Sequence, residues 1–167
     1  IIMLSSPRIP YRGAIFCLAR KLPGPDLNFS SMEKRMVITV NDYQRLTGLM
    51  EFASLKEKMP EIATRLDKQL TGAKMVSQEL ISRDIITMNS RVLLKDVVRG
   101  TEAELTITYP QHADHRERKV SVFSSIGMAL LGKQVGEVVS WKVPAGNGQF
   151  EILKVTYQPE AVGDFSL

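Results

Sequence analysis

Two carboxylates lie close to the turn between two segments with helical periodicity. They are Glu51 and Glu57. Hard cations such as Mg²⁺ prefer oxygen ligands, so a carboxylate pair on a projecting tip could hold a catalytic Mg²⁺ inside a partner enzyme. Lys56 and Lys58 lie beside them, and we favour the alternative that these are ordinary surface charges.

A second group of candidate ligands lies in a polar loop. His112, Asp114 and His115 could chelate a metal ion at the surface, although an exposed histidine pair is more often simply solvated. Two histidines and the single cysteine, Cys17, cannot build an ordinary four-ligand structural zinc site. We therefore expect no metal and no cofactor, and the lone cysteine is compatible with a reducing cytoplasm.

Signatures of phosphate binding are missing from the sequence. There is no GxGxxG pattern and no glycine-rich loop ending in Lys-Ser or Lys-Thr. The clusters Gly132-Lys133 and Gly146-Asn147-Gly148 are better explained as turns. No catalytic residue is predicted from these patterns.

Composition and charge exclude several classes of protein. The chain has 167 residues, 44% of them hydrophobic and 24% charged, which suits one or two small soluble domains. The longest apolar stretch, 14–19, is far shorter than the ~20 residues that span a bilayer. Residues 1–35 account for the whole net charge of +4, and the remainder carries 16 basic and 16 acidic side chains. A face that binds duplex nucleic acid needs clustered cations, so we expect no direct, sequence-specific nucleic-acid binding and no membrane.

The chain divides into three parts. Residues 1–36 contain several prolines and glycines that interrupt any long helix. We predict that this part is a disordered tail, or upstream sequence that is not native to the protein. Residues 37–82 and residues 83–167 are predicted to fold.

Residues 37–82 contain two short segments with helical periodicity. In the first, Asn41 with Gln44 three residues later indicates an N-terminal cap. The second begins at Pro60, which suits a first helical turn, and ends at Gly72. The apolar stripes comprise Tyr43, Leu46, Leu49 and Met50, followed by Ile62, Leu66 and Leu70. We predict a short antiparallel coiled coil whose first helix, of about 11 residues, measures ~17 Å.

Residues 83–167 change to a period of two, which is typical of half-buried strands. The apolar positions of these runs are Leu105, Ile107 and Tyr109, then Val120 and Val122, then Val139, Trp141 and Val143. Residues 146–148 are predicted to form a hairpin turn into a last strand, 150–157. Residues 125–132 predict one short helix. The expected class is α+β, with a twisted antiparallel sheet packed on a single short helix.

Several motifs in this order resemble one known family. The central run is Lys119-Val-Ser-Val-Phe-Ser-Ser-Ile-Gly-Met-Ala-Leu-Leu-Gly-Lys133, continuing through residues 134–139. It resembles the C-terminal domain of the bacterial Gre transcript-cleavage factors, and residues 150–157 resemble that family's last strand. Residues 84–92 and 157–165 narrow the resemblance to the Rnk branch, the regulators of nucleoside diphosphate kinase.

The resemblance implies a protein with two domains that binds bacterial RNA polymerase. Its C-terminal domain, of the FK506-binding-protein type, would dock on the rim of the secondary channel, and the coiled coil would point into that channel. The residues implied in docking are Phe123, Ser124, Ser125 and Ile126. The family's Ser-Pro step is Ser124-Ser125 here, which removes a rigid proline from the docking loop.

We therefore predict a transcription regulator that occupies the channel entrance and is not an enzyme. The short coiled coil of the Rnk pattern implies that Glu51 and Glu57 do not reach the catalytic centre. Three alternatives stay open: a true transcript-cleavage factor, a peptidyl-prolyl isomerase suggested only by the fold type, and an effect on nucleoside diphosphate kinase. For the isomerase, Trp141 could be either core or pocket wall.

Overall fold

The computed structural model describes residues 35–51, 59–144 and 146–165. Residues 34–167 form one compact unit. The predicted tail lies outside the described residues except for its last two. None of the helices in these ranges is long and apolar enough to span a membrane.

Within the described residues, the N-terminal half of this unit contains two α-helices and two short strands. Strand β1 (Val37–Thr39) leads directly into helix α1 (Val40–Glu51), and helix α2 (Pro60–Thr71) is followed by strand β2 (Lys74–Val76). Because β1 and β2 pair in parallel, the start of α1 lies beside the end of α2. The opposite ends of the helices line a common cavity, so α1 and α2 run antiparallel.

The apolar stripes of α1 and α2 face the core as predicted. The buried members are Leu46, Met50, Leu66 and Leu70, with Ala63 beside them, and Tyr43, Leu49 and Ile62 are partly buried. Pro60 occupies the first turn of α2, and Gly72 is its C-cap, as the sequence indicates.

The predicted cap of the first helix is wrong. The helix begins one residue before Asn41, and the hydroxyl of Thr39 accepts a hydrogen bond from the backbone N–H of Asp42 (3.0 Å). A buried threonine at the end of β1 therefore caps α1. The amide of Asn41 instead donates to the side chain of Gln78, and Gln44 is exposed.

A five-stranded sheet forms the C-terminal half. Its strands are β3 (Arg91–Asp96), β4 (Glu102–Thr108), β5 (Lys119–Ser121), β6 (Val138–Val143) and β7 (Gly146–Tyr157). Their order across the sheet is β5-β4-β3-β7-β6. Helix α3 (Ser125–Leu130) follows β5, and a second short helix, α4 (Pro159–Val162), follows β7. The class is α+β, as predicted, although α3 is not the single helix of this half.

The sheet is not purely antiparallel as predicted. Strand β5 pairs in parallel with β4, with Thr106 opposite Lys119, whereas the other neighbouring pairs are antiparallel. The connection through residues 109–118 carries the chain back along β4 before β5 begins. That return makes the two strands run in the same direction.

The hairpin between β6 and β7 also differs from the prediction. Residues 146–148 belong to β7, with Gly146 opposite Val143, so the turn begins earlier, at Pro144. The indole of Trp141 stacks on the ring of Phe150, with centroids 3.9 Å apart and planes at 5°. A Cβ atom on Gly148 would lie 2.5 Å from the Phe150 ring, so glycine is needed here to make room for the stacked pair.

Helices and sheet share one hydrophobic core. Its fully buried members from the helices include Leu46 and Leu66, and those from the sheet and its loops include Ile86, Val92, Ile107, Val122 and Ile152. The helical pair is therefore packed on the C-terminal half through apolar contacts.

A buried carboxylate adds a polar connection between the two halves. Asp42 of α1 is only 4% exposed. Its carboxylate accepts hydrogen bonds from the backbone N–H of Met88 (3.2 Å) and from the hydroxyl of Tyr109 (3.4 Å). Burial raises the pKa of Asp42, and the hydrogen bonds from Met88, Thr39 and Tyr109 oppose that rise. Burial and then the nearby Asp42 charge raise the pKa of Tyr109 to about 12.

The same network continues to the C-terminal helix. The hydroxyl of Thr87 donates to the Glu160 carboxylate of α4 (2.7 Å) and contacts the Ser90 hydroxyl (2.8 Å). Burial raises the pKa of Glu160, and the charge of Asp42 adds to the rise. We call the set of Asp42, Thr87, Tyr109 and Glu160 the polar junction.

Helix α3 lies unusually close to the strand that precedes it. A Cβ atom on Gly127 would lie 2.3 Å from the carbonyl oxygen of Ser121 and 2.7 Å from Cα of Val122. Both are backbone atoms, so no side chain can rotate away to make room. Gly48 of α1 has no neighbour within 4 Å of the same position.

Gly127→Ala is expected to destabilise the protein by roughly 1–3 kcal/mol or more, because the methyl group overpacks a backbone contact. The matched variant Gly48→Ala is expected to stabilise it by up to about 1 kcal/mol, through the higher helix propensity of alanine. Urea unfolding measures both effects. Equal stability of the two variants would contradict the close packing of α3.

Asp42→Ala is expected to lower the free energy of unfolding by about 1–3 kcal/mol, because the buried Met88 N–H loses its acceptor. Asp42→Asn keeps an acceptor but cannot titrate, so it is the matched control for pH dependence.

The raised pKa of Asp42 means that the folded protein binds this proton more tightly than the unfolded chain does. The free energy of unfolding of the wild type should therefore rise relative to Asp42→Asn as the pH falls from 7 through the raised pKa. Urea titrations at several pH values between 7 and 4.5 measure this difference. Parallel curves would show that the carboxylate is not buried as described.

Candidate partner-binding site

The loop before α3 positions the residues that the resemblance assigns to docking. Ser124 is the N-cap of α3, and its hydroxyl accepts from the backbone N–H of Gly127 (3.0 Å) and donates to the carbonyl of Ser121 (2.7 Å). The Ser124 hydroxyl thus uses its donor and its acceptor capacity inside the protein. The role of Ser124 in this structure is to hold the loop and the helix together.

The other three implied residues differ in their exposure. Phe123 is only 6% exposed and belongs to the hydrophobic core, so its ring supports the loop from beneath. Ile126 is partly buried against the same core. Ser125 is exposed and is the first residue of α3. The first helical position tolerates proline well, so serine can replace the family's proline there without changing the helix.

A groove opens beside Ser125, between α2, α3 and the edge of the sheet. Its volume is about 370 Å³. The lining residues are Arg65 and Gln69 of α2, Ser125, Met128 and Ala129 of α3, Ser140, Trp141 and Lys142 of β6, and Asn147 of β7. We call this cavity the α2–α3 groove. The amide of Gln69 donates to the carbonyl of Met128 (3.3 Å), which fixes one wall.

Most residues of the groove were not predicted from the sequence as functional. Arg65 and Lys142 lie more than 70 positions apart, and no periodic pattern connects a helix with a strand at that separation. No sequence signal marks the groove, because the exposed positions of α2 carry acidic as well as basic side chains and only one exposed position of β6, Lys142, is charged.

Trp141 is both core and groove wall. It is 8% exposed, and one face of its ring is covered by Phe150. The two interpretations that the sequence left open therefore both hold, because the buried face packs and the remaining edge lines the α2–α3 groove.

The two carboxylates near the helical turn are only partly described. Glu51 is exposed and is the last residue of α1, where it lines a cavity of about 420 Å³ between α1 and α2. Glu57 lies outside the described residues. Helix α1 has 12 residues, which corresponds to a length of about 18 Å.

The side chains of the histidine loop are exposed rather than gathered into a cluster. His112, Asp114 and His115 are exposed, and the Asp114 carboxylate accepts from the backbone N–H of Arg116 (2.8 Å). Asp114 thus stabilises a turn. Across the residues that the structure describes, no group of three or more metal-ligating side chains comes together.

Comparison with known proteins connects this geometry to a family. Residues 81–157 match the family model described as transcription elongation factor, GreA/GreB, C-term. The chain is 36% identical over 139 residues to the regulator of nucleoside diphosphate kinase of Escherichia coli K12, covering 80% of this chain and 98% of the relative. It is 37% identical over 108 residues to transcription elongation factor GreA of Chloroherpeton thalassium, covering 63% of this chain and 68% of the relative.

A solved structure supports the same relationship. The prokaryotic transcription elongation factor GreA/GreB from Nitrosomonas europaea superposes with a TM-score of 0.64 at 31% identity, covering 74% of this chain and 98% of that chain. The match to the E. coli regulator covers nearly all of that relative, and the α3 loop lies inside the matched domain. The chain therefore belongs to the Gre family of transcription factors, in the Rnk branch.

Proposed function

We propose that this protein binds RNA polymerase at the entrance of the secondary channel and regulates transcription without stimulating transcript cleavage. The observation that supports the proposal is the small size of the described helices: α1 has 12 residues (Val40–Glu51), and only residues 52–58 separate it from Met59. A factor with helices this short could dock at a rim and obstruct a channel without bringing Glu51 to the depth of that channel.

The choice of partner rests on the family. The GreA relatives are named as transcription elongation factors, and RNA polymerase is the enzyme on which such a factor acts. Bacterial RNA polymerase works in the cytoplasm, so the proposed partner places the protein there as part of the same proposal.

Two finer features of the fold belong to this proposal. The antiparallel pair of α1 and α2 is taken to be a short coiled coil, and the five-stranded sheet with α3 is taken to be a domain of the FK506-binding-protein type. The shared core and the polar junction support a fixed angle between these two parts. A docked domain would need such a fixed angle to orient the helices towards a channel.

The docking surface is proposed to lie at the start of α3. Ser125 is the exposed residue there, and the polymerase would contact its side chain and the neighbouring backbone. Phe123, Ser124 and Ile126 would act beneath this surface by holding its shape, because their side chains are buried or used in the cap.

The proposed lack of cleavage activity follows from the distance between the tip of the helical pair and the catalytic metal ion. Bonds from carboxylate oxygen to Mg²⁺ measure ~2.0–2.1 Å, so a tip residue contributes only if it reaches the metal ion. Each helical turn supplies ~5.4 Å of reach, and α1 provides little more than three turns. Glu51 would therefore stop short of the catalytic centre when the other end of the molecule is docked at the rim, and Glu57 follows it by only six positions in the sequence.

The rival functions have less support. A cleavage factor is favoured by the similarity to GreA proteins and by the exposure of Glu51, but the short helices oppose it. A prolyl isomerase needs an aromatic-lined pocket, whereas one face of Trp141 is closed by Phe150. An effect on nucleoside diphosphate kinase is suggested only by the name of the E. coli relative, and an indirect effect through transcription would account for it.

Ser125→Glu is expected to weaken binding to core RNA polymerase by tenfold or more, because it places a charge at the proposed contact. The fold should persist, since a carboxylate at the start of a helix is favourable. Binding is measured by fluorescence anisotropy of labelled protein, with Thr101→Glu, at an exposed position of the β3–β4 turn, as the matched control.

Ser124→Ala tests whether Ser124 holds the docking loop in shape rather than contacting the polymerase. It removes the N-cap and is expected to cost about 1 kcal/mol of stability while weakening polymerase binding less than Ser125→Glu does. If Ser125→Glu binds as tightly as wild type, the start of α3 is not the interface.

Stalled elongation complexes are expected to release no short 3′ RNA fragments above background when this protein is added. A backtracked complex is the suitable substrate because its RNA 3′ end is exposed to the channel, and a GreA protein serves as the positive control. Fragments that appear with wild type and disappear with Glu51→Ala would show that the helical pair does reach the catalytic metal.

A further inference from the structure

The α2–α3 groove carries positive charge and hydrogen-bond donors. Its two charged lining residues are Arg65 and Lys142, and its walls also contain the side chains of Gln69, Ser125, Ser140 and Asn147. No aspartate or glutamate is among the lining residues. This composition differs from the rest of the folded part, where basic and acidic residues are balanced.

Within the described residues, neither cation of the groove belongs to an ion pair. Arg65 has Glu61 one turn earlier on α2, and both line a shallow neighbouring cavity, while Arg65 also lines the groove. Lys142 is an exposed residue of the edge strand β6. The ion pairs Lys119–Glu117 and Lys133–Glu137 involve neither groove cation.

The accessible groups of the groove favour carboxylate side chains over nucleotide bases. Binding of a base usually uses stacking on a free aromatic face. The only aromatic residue in the groove is Trp141, and it is 8% exposed with its ring stacked on Phe150. What remains accessible is a set of donors above an apolar floor, which suits the oxygen atoms of aspartate or glutamate.

The groove is continuous with the proposed docking surface. Ser125 belongs to both, since it begins α3 and also lines the groove. A segment that contacts the start of α3 could extend along the groove that Arg65 and Lys142 also line. Both halves of the molecule contribute to this path, because Arg65 lies on α2 and Lys142 on β6.

We propose that the α2–α3 groove receives an acidic segment of RNA polymerase, with Arg65 and Lys142 pairing with aspartate or glutamate side chains of that segment. This inference rests on the proposed function and deepens it by naming the chemistry of the contact. It also gives the helical pair a second role, because α2 then contributes directly to docking.

Charge reversal is the sharpest test of this contact. Arg65→Glu and Lys142→Glu replace attraction by like-charge repulsion, which slows association and weakens binding. The matched controls are Arg99→Glu and Lys154→Glu, which change the same residue types at exposed positions outside the groove. Binding to core RNA polymerase without nucleic acid is measured at low and high salt, and thermal melting confirms that each variant is folded.

Each groove variant is expected to bind at least tenfold more weakly than wild type at low salt, whereas the controls bind within about twofold. The affinity of the wild type should fall as salt is added. The affinity of the double variant, which combines Arg65→Glu and Lys142→Glu, should depend less on salt. If the groove variants bind like wild type while Ser125→Glu binds weakly, the acidic-segment inference is overturned and the docking site stands. If wild type does not bind the polymerase at all, the proposed function fails and the inference fails with it.

A small anionic ligand is the remaining possible occupant, and Trp141 provides a probe for it as the single tryptophan of the chain. Titration of the protein alone with ATP or inorganic pyrophosphate is expected to leave its fluorescence unchanged. A saturable change that Lys142→Glu abolishes would assign the groove to a small anion and overturn the acidic-segment inference.

Discussion

The buried carboxylate of Asp42 sets a constraint on which the arrangement of this protein depends. A carboxylate in an apolar interior is costly unless it is hydrogen-bonded, and here the donors come from Met88 and Tyr109 in the other half of the molecule. Asp42 is also in the first turn of α1, where the cap by Thr39 fixes its position. The helix therefore cannot rotate or slide on the sheet without breaking these hydrogen bonds, and the direction in which it projects is a property of the core.

Under the proposed function, this constraint would allow a small factor to act through its position on the polymerase. The N-terminal helices are short, rigidly directed and backed by the same core as the sheet, while the exposed start of α3 and the groove beside it face outward. Docking through one surface then determines where the helical end lies. Under the proposed function, binding and obstruction of a channel would need no catalytic group of this protein.

Local patterns in the sequence predicted the helices and strands whose formation depends on local interactions. The apolar stripes of α1 and α2, the start at Pro60 and the alternation in β6 follow from periodicity, and the family followed from several motifs in order. The parallel pairing of β5 depends on contacts between distant segments, so no spacing rule could reveal it. The cap by Thr39 is local, three residues before Asp42, and was missed because Asn41 is a stronger capping residue type. The need for Gly148 depends on the stacking of Phe150 on Trp141. Strand β3 was missed because Leu93 interrupts the alternation of buried Val92 and Leu94 with polar residues, and the groove was missed because its walls come from three separate elements.

Competition for core RNA polymerase tests the central claim most directly. Immobilised core enzyme is incubated with this protein, and a second factor known to occupy the secondary channel is then added in increasing concentration. We expect this protein to be retained by the polymerase and to be displaced progressively as the competitor saturates the channel. Retention that the competitor does not reduce would place the protein elsewhere on the enzyme, and no retention at all would contradict the proposed function.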